Sequence, residues 1–274
     1  MNEHPRPRLV LADVDGTLVT NEKVLTEEAK AAARELNEAG VELAITSGRP
    51  PRGMTMLIEP LRLTGPIAGF NGGVLVHPDL SVIECRALDP AVAGEALKLI
   101  LDNGLDVWVY TESQWLIRDL GAPHVARERN TVKFDPEIVA GFTDAHLAHA
   151  VKIVGVSDDF AKVAACETAA QEALAGKASA TRSQAYYLDV THPQANKGAV
   201  VEKLANLSQI SPRDIATIGD GPNDVLMFRK SGFSVAMGNA SSEVKAQAQA
   251  VTDSNQSEGF AKAIRKFFLS AAAA

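Results

Sequence analysis

Apolar residues gather along this chain in short runs that close on acids, glycines and hydroxyls, with stretches of helical spacing between them. Residues 9–12 form a continuous apolar run ending at Asp13-Val14-Asp15-Gly16-Thr17. A run apolar on both faces predicts a buried parallel strand. Leu25, Ala29, Ala32, Ala33 and Leu36 then fall at helical spacing, and Gly40 sits where a C-terminal cap belongs. Residues 41–46 predict the next strand, which runs into Ser47-Gly48-Arg49-Pro50. Strand, helix and strand in this order make a right-handed βαβ unit. Residues 66–69 and 74–76 read as a hairpin around Asn71-Gly72-Gly73, since Asn-Gly and Gly-Gly tolerate positive φ.

The pattern changes near residue 81. Asp89-Pro90 opens a helix carrying Val92, Ala96, Leu99 and Ile100 on one stripe, and Asn103-Gly104 stops it. Residues 105–110 predict a strand bearing Trp108 and Tyr110, with 115–117 pairing beside it. Residues 119–149 show no readable boundary. A strand at 151–156, a helix at 158–174 and one or two strands within 178–190 follow. Tighter alternation then resumes: a helix marked by Val200, Leu204 and Leu207, a short turn opened by Ser211-Pro212, and a strand at 215–218. That strand enters Gly219-Asp220-Gly221-Pro222-Asn223-Asp224, and a strand at 234–237 and a helix at 260–269 close the fold before the terminal alanines.

These elements predict an α/β protein with a doubly wound, mostly parallel, Rossmann-like sheet built from residues 1–81 and 189–274. A mixed α/β insertion, residues 82–188, interrupts it. The length of 274 residues, at about 150 residues per domain, agrees with two domains. Open sheets of this kind bind ligands at the carboxyl ends of their strands.

The net charge of −7 argues against nucleic acid as a partner, because no basic excess is available to displace counterions. A phosphorylated small molecule stays admissible if a metal supplies the positive charge. Cys85 and Cys166 are isolated and read as core thiols rather than a disulfide framework. The polar start of the chain and the short apolar run at 9–12 fit neither a signal peptide nor a membrane-spanning helix. The expectation is a cytoplasmic protein, free of membrane, as a monomer or small homo-oligomer.

Three predicted strand ends carry unusual chemistry. Asp13 and Asp15 lie two apart at the mouth of a strand, beside a glycine that allows close backbone approach. Thr46-Ser47-Gly48 presents hydroxyls and backbone N–H groups to an anion. Pro222 suits a first helical turn, so a helix starting there is expected to align Asp220 and Asp224 on one face. Four carboxylates at one mouth repel one another unless a divalent cation joins them, and an all-oxygen set favours Mg²⁺. Lys197, within Asn196-Lys197-Gly198, sits at the unfavourable end of a helix dipole, which makes sense if it serves an anion or those acids. A carboxylate nucleophile, an acid/base partner and a cationic clamp together describe phosphoryl transfer.

Asp13-Val14-Asp15-Gly16-Thr17, Ser47-Gly48-Arg49, Lys197 and Gly219-Asp220-x-x-Asn223-Asp224 resemble, in that order, the four motifs of the haloacid dehalogenase superfamily. The insertion is similar to the α/β cap of its Cof-type sugar-phosphate phosphatases. Asn71-Gly72-Gly73, Asn196-Lys197-Gly198 and Ala236-Met237-Gly238-Asn239-Ala240 resemble strings that recur in that subgroup. The resemblance implies a Mg²⁺-dependent phosphatase of small phosphorylated metabolites that works through a phospho-aspartate. It implies Asp13 as nucleophile and metal ligand, and Asp15 as acid/base that also lends its backbone carbonyl to the metal. Ser47, Gly48, Lys197 and Asn223 would hold phosphate, Asp220 would bind metal, and Asp224 would orient Lys197 or serve the metal. Ser47 stands where the subgroup more often has threonine before Gly-Arg.

Two other functions share parts of this set. A phosphomutase would use the same nucleophile but shield its phosphate from water. A receiver-like phosphorylation switch also pairs acids with a hydroxyl and a lysine, yet needs only one small domain. In the insertion, Trp108, Tyr110 and Trp115 are expected mainly to pack. His146 and His149 lack a further metal ligand, and Arg182 and Tyr186 are placed to reach a substrate by location only.

Overall fold

The computed structural model describes residues 6–269; the first residues of the polar start and the terminal alanines lie outside it. The strands in chain order are β1 (Leu9–Asp13), β2 (Glu42–Thr46), β3 (Ile67–Gly69), β4 (Val74–Val76) and β5 (Val82–Cys85). Then come β6 (Asp106–Tyr110), β7 (Trp115–Ile117), β8 (Glu137–Ile138), β9 (Lys152–Val156), β10 (Ser179–Gln184) and β11 (Tyr187–Thr191). The last three are β12 (Ile215–Gly219), β13 (Phe233–Ala236) and β14 (Ala250–Val251).

They form two sheets, ordered β14-β13-β12-β1-β2-β3-β4-β5 and β10-β11-β9-β6-β7-β8. The first is parallel from β14 to β3 and antiparallel from β3 to β5. Every residue of β1 is buried, which is why its sequence is an unbroken apolar run rather than an alternation. The helix Glu27–Glu38 turns Ala29, Ala32, Ala33 and Leu36 toward the core, and the Thr26 side chain caps it by accepting from the N–H of Ala29 at 3.1 Å. Chain order reverses across β1, which lies between β2 and β12. Asp13 therefore ends the central strand at the switch point, opposite Thr46 of β2.

The second sheet has its own core, in which Val92, Ala96 and Ile100 of helix Pro90–Asp102 and Val163, Cys166 and Ala170 of helix Phe160–Ala173 pack on Val107, Val109, Ile153, Leu188 and Val190. The other face of that sheet looks toward the first. Its Trp108, Tyr110, Trp115 and Tyr187 share one apolar cluster with Met54, Phe70 and Val74. Trp115, fully buried, and its neighbours are packing residues, as their strand positions suggest.

Strand pairing shifts both expected junctions. Val82–Cys85 pairs with β4 in the first sheet, and the boundary at 188/189 would cut through β11 of the second. The chain crosses between sheets just after β5 and just after β11. There Arg86 Nη1 donates to the carbonyl of Gln194 at 2.5 Å, tying one crossing to the other. The segment without readable boundaries contains the helix Val125–Val132, β8 and the short helix Asp144–Leu147. Cys166 is buried as expected, whereas Cys85 is exposed on the edge strand β5, so only one of the two thiols belongs to a core. Among the described residues no helix is long and apolar enough to cross a membrane.

Candidate active site

Three strand ends of the first sheet meet at one mouth. Asp13 comes from the end of β1, and Asp220 follows β12 directly. Asp224 closes the short 3₁₀ turn Pro222–Asp224. One carboxylate oxygen from each of Asp13, Asp220 and Asp224 lies within 4.8 Å of the others. The expected alignment of Asp220 and Asp224 on one helix face is not how this happens. Asp220 precedes the turn, and Asp224 folds back so that its Oδ2 accepts from the N–H groups of Asp220 at 2.9 Å and Gly221 at 2.8 Å. Its other oxygen is left for Lys197.

Lys197 is the first residue of helix Lys197–Leu207, whose N-cap Asn196 accepts from the N–H of Ala199 at 3.0 Å. Its Nζ lies 2.5 Å from Asp13 Oδ1 and 2.6 Å from Asp224 Oδ1. Burial opposes the charge on Lys197, but Asp13 and Asp224 outweigh it and hold the ammonium above the usual lysine range. Burial also raises Asp13, and the carboxylates of Asp224 and Asp220 add to this, so that Lys197 offsets only part of the rise. Burial first and Asp224 second push Asp220 up to about 6. Three acids, Asp13 and Asp224 buried and Asp220 half-buried, against one lysine leave a surplus of negative charge, which raises carboxyl pKa values when nothing else neutralises it. Hard oxygen donors in this number fit a divalent cation such as Mg²⁺.

Two glycines make the cluster possible. A Cβ on Gly16 would lie 2.3 Å from Asp220 Oδ2, and Gly16 also holds φ at +85°, where a side chain is strained. A Cβ on Gly219 would lie 2.4 Å from the Asp224 carboxylate. Asp220 is further held by Thr17 Oγ1 at 3.1 Å and Asn239 Nδ2 at 3.1 Å, and Asn239 Nδ2 also donates to the carbonyl of Gly16 at 2.9 Å.

The fourth predicted acid stands apart. The side chain of Asp15 is gripped by Arg49, whose Nε and Nη2 donate to its two oxygens at 2.7 and 2.6 Å, and by Lys23 at 2.7 Å. Burial alone would raise Asp15, but this bidentate pairing and Lys23 bring it down to about 2. Its carboxylate is thus not in the cluster that Asp13, Asp220 and Asp224 share.

The remaining predicted residues form the opposite rim. Ser47, buried after β2, donates its hydroxyl toward Asp15 Oδ2 at 3.5 Å and accepts from the N–H of Arg49 at 3.2 Å. Gly48 faces Asn71, a left-handed residue whose N–H donates to the Ser47 carbonyl at 2.8 Å. Asn223 Nδ2 donates to Asn71 Oδ1 at 3.0 Å, which brings it to the Ser47-Gly48 side. Arg49, Asn71, Thr17, Asn239 and Lys23 are site residues to which the sequence gives no role of their own. The first four stand in or beside its recognisable strings, whereas Lys23 carries no local signal.

Other candidates go elsewhere. His146 accepts at Nδ1 from the N–H of Thr143 at 3.2 Å as part of a helix cap. His149 is exposed. Arg182 pairs with Glu167 at 2.7 Å. Tyr186 stacks on His124, ring centroids 4.0 Å apart, and the guanidinium of Arg127 lies over its ring.

An acid cluster with a buried lysine at the switch point of a doubly wound sheet, facing an N–H and hydroxyl rim, is an arrangement suited to phosphoryl transfer. The family model for haloacid dehalogenase-like hydrolases matches residues 10–264, and the chain belongs to that family. A haloacid dehalogenase-like hydrolase from Bacteroides thetaiotaomicron superposes with a TM-score of 0.89 at 26% identity, covering 96% of this chain and 100% of that one. One 5-amino-6-(5-phospho-D-ribitylamino)uracil phosphatase of Bacillus subtilis, YcsE, is 26% identical, with 96% of each chain covered. The HMP-PP phosphatase of Cronobacter sakazakii is 30% identical over 88% of this chain and 87% of its own. The chain is an enzyme, a phosphatase of this family that acts on phosphorylated substrates.

Proposed function

We propose that the protein is a Mg²⁺-dependent phosphatase of small phosphorylated metabolites, sugar phosphates foremost, and that Asp13 is its nucleophile. The observation that carries the reading is the convergence of Asp13, Asp220 and Asp224, with the buried Lys197 between two of them. Asp13, Asp220, Asp224 and the backbone carbonyl of Asp15 would hold the cation. When bound, it would offset the surplus negative charge and make the mouth attractive to a phosphate.

In the first half-reaction a carboxylate oxygen of Asp13 bonds to phosphorus, the ester P–O bond breaks, and Asp15 gives its proton to the leaving oxygen. In the second, Asp15 takes a proton from water, the water oxygen bonds to phosphorus, and the acyl phosphate releases Asp13 and inorganic phosphate. Ser47, the N–H of Gly48, Lys197 and Asn223 steady the transferring oxygens. In the grip of Arg49 and Lys23 Asp15 is an anion, so donation requires its side chain to leave both and to take up a proton from solvent before the first half-reaction; the arrangement described is a resting one. The second sheet, with its helices, is read as a cap over this mouth, joined through the tied crossings beside Arg86 and Gln194. The relatives' names describe phosphatases of small organic molecules, which supports the same class here.

The test is a panel of phosphorylated metabolites assayed for free phosphate with Mg²⁺ and with a chelator. Release of phosphate that requires Mg²⁺ is expected. Interconversion of hexose phosphate isomers without free phosphate would replace this reading with a mutase, and a long-lived aspartyl phosphate without turnover would replace it with a switch.

A further inference from the structure

Asp15 is held from two directions. Arg49 reaches it from the loop after β2, whereas Lys23 reaches it from a surface turn, residues 20–24, with its Nζ 2.7 Å from Asp15 Oδ1. The turn closes through the N–H of Thr20, which donates to the Val24 carbonyl at 3.0 Å, and the N–H of Lys23, which donates to the Thr20 carbonyl at 2.9 Å. Lys23 itself takes a left-handed φ of 63°. Chain reversal alone would suit glycine there, yet the position carries a side chain long enough to reach the mouth. The turn is also fastened from the far end of the chain. Asn255, buried in the 3₁₀ turn Asn255–Ser257, donates both protons of its amide, to the Val19 carbonyl at 3.0 Å and to Asn21 Oδ1 at 3.2 Å. Its N–H donates to Asn239 Oδ1 at 3.0 Å, and Asn239 Nδ2 donates in turn to Asp220 Oδ2 and the Gly16 carbonyl. A buried amide with both donors engaged holds the turn in one conformation.

We infer that Lys23 is a latch: set in place by Asn255, it helps to keep the Asp15 carboxylate on Arg49 and out of proton transfer until the acid is needed. This rests on the phosphatase reading and on Asp15 as its proton donor, and it makes Lys23 and Asn255 positioning residues. Arg49 supplies the strong half of the grip, a buried guanidinium with two hydrogen bonds to one carboxylate. Lys23, whose side chain is 30% exposed, supplies the half that yields, because a partly exposed ion pair is weak. The amide bridge through Asn239 ends on Asp220, so the turn is placed relative to the acid cluster and not only to its own strand. Lys197 sits on Asp13 and Asp224, whereas Lys23 ends on Asp15, which favours a latch over a second phosphate ligand.

The test compares kcat/KM for glucose 6-phosphate, whose alkoxide needs a proton to leave, with that for p-nitrophenyl phosphate, whose phenolate does not. Both are measured with Mg²⁺ in the wild type, Lys23→Met, Lys23→Arg, Asn255→Ala and the double variant Lys23→Met/Asn255→Ala. Lys23→Met should raise the ratio of the first substrate to the second by about two- to fivefold, the range of a partly exposed ion pair. Lys23→Arg, which keeps the cation, should keep the wild-type ratio. Asn255→Ala should raise the ratio too, with a lower melting temperature because the Val19 carbonyl loses its partner. The double variant should rise no further than Lys23→Met, since both changes act through one contact. A ratio unmoved or lowered in Lys23→Met, or increases that multiply in the double variant, would overturn the proposal. A KM raised equally for both substrates in Lys23→Met would overturn it as well and assign Lys23 to phosphate. If Asn255→Ala does not fold, the two Lys23 variants, altered at a partly exposed side chain, decide the matter. No cleavage of either substrate by any of these proteins would overturn the phosphatase reading and the latch with it, whereas cleavage with an unmoved ratio overturns the latch alone.

Discussion

The strand ends of the first sheet and the inner face of the second are both rich in buried polar groups, but they are built differently. At the strand ends each acid has neighbours that account for it. Asp224 accepts from two backbone N–H groups and Lys197, and Asp220 accepts from Thr17 and Asn239. On the inner face, Tyr187, Asp189, Trp108 and Trp115 each keep an atom without a partner among the described residues. Apart from the Thr46 hydroxyl at the end of β2, which has no partner among the described residues, the strand-end set is satisfied from within and preorganised for a reaction of fixed geometry. A set left partly open carries a desolvation penalty and lacks such a fixed arrangement.

The largest effect that would test this contrast comes from Asp13→Asn. It should reduce turnover by about a thousandfold or more without loss of fold, because Lys197 keeps its contact with Asp224. Steady-state kinetics and thermal melting check this, and appreciable activity in a preparation free of other phosphatases would remove Asp13 from its role. On the other side, Trp115→Ala should act through stability. Deleting a fully buried indole that packs on Trp108, Tyr110 and Phe134 should cost about 3–5 kcal/mol, measurable by denaturant unfolding. A cost near that of a surface substitution would mean the two sheets do not share the cluster described.

The smallest effect is a pH dependence confined to the acid cluster. Asp220 is raised from 3.8 to about 6, so in the metal-free protein its contribution to stability is fully present below 3.8 and is lost as pH rises through about 6. A cation competes with that proton. Mg²⁺ should therefore raise the melting temperature more at pH 7 than at pH 5, and an equal shift at both would show that these acids do not hold it.

Much of the first region is legible in sequence because its chemistry is written in contiguous strings. Asp13-Val14-Asp15-Gly16-Thr17 leaves a strand whose burial is announced by its apolar run, and the parallel alternation of β1, β2, β12 and β13 follows from similar runs. Tertiary relations are not written locally. Nothing near Lys23 says that it meets Asp15, and Asp224 looks like a helix-face partner of Asp220 until its fold-back onto two N–H groups is seen. The insertion's edges are not legible because β5 and β11 are strands of ordinary appearance whose sheet is decided by distant partners. The helix Val125–Val132 is not legible for a different reason. It is flanked by His124 and Lys133, both left-handed with φ of 63° and 62°, where glycine or a capping hydroxyl would ordinarily mark an end.

Gly16 sets a limit of size rather than reactivity. The space a methyl group would need there is already filled by an oxygen of Asp220, so hydrogen is the only substituent the position admits. An alanine would keep every reactive group in the chain and still crowd the acids out of their meeting place, so an inert atom matters here as much as a charged one.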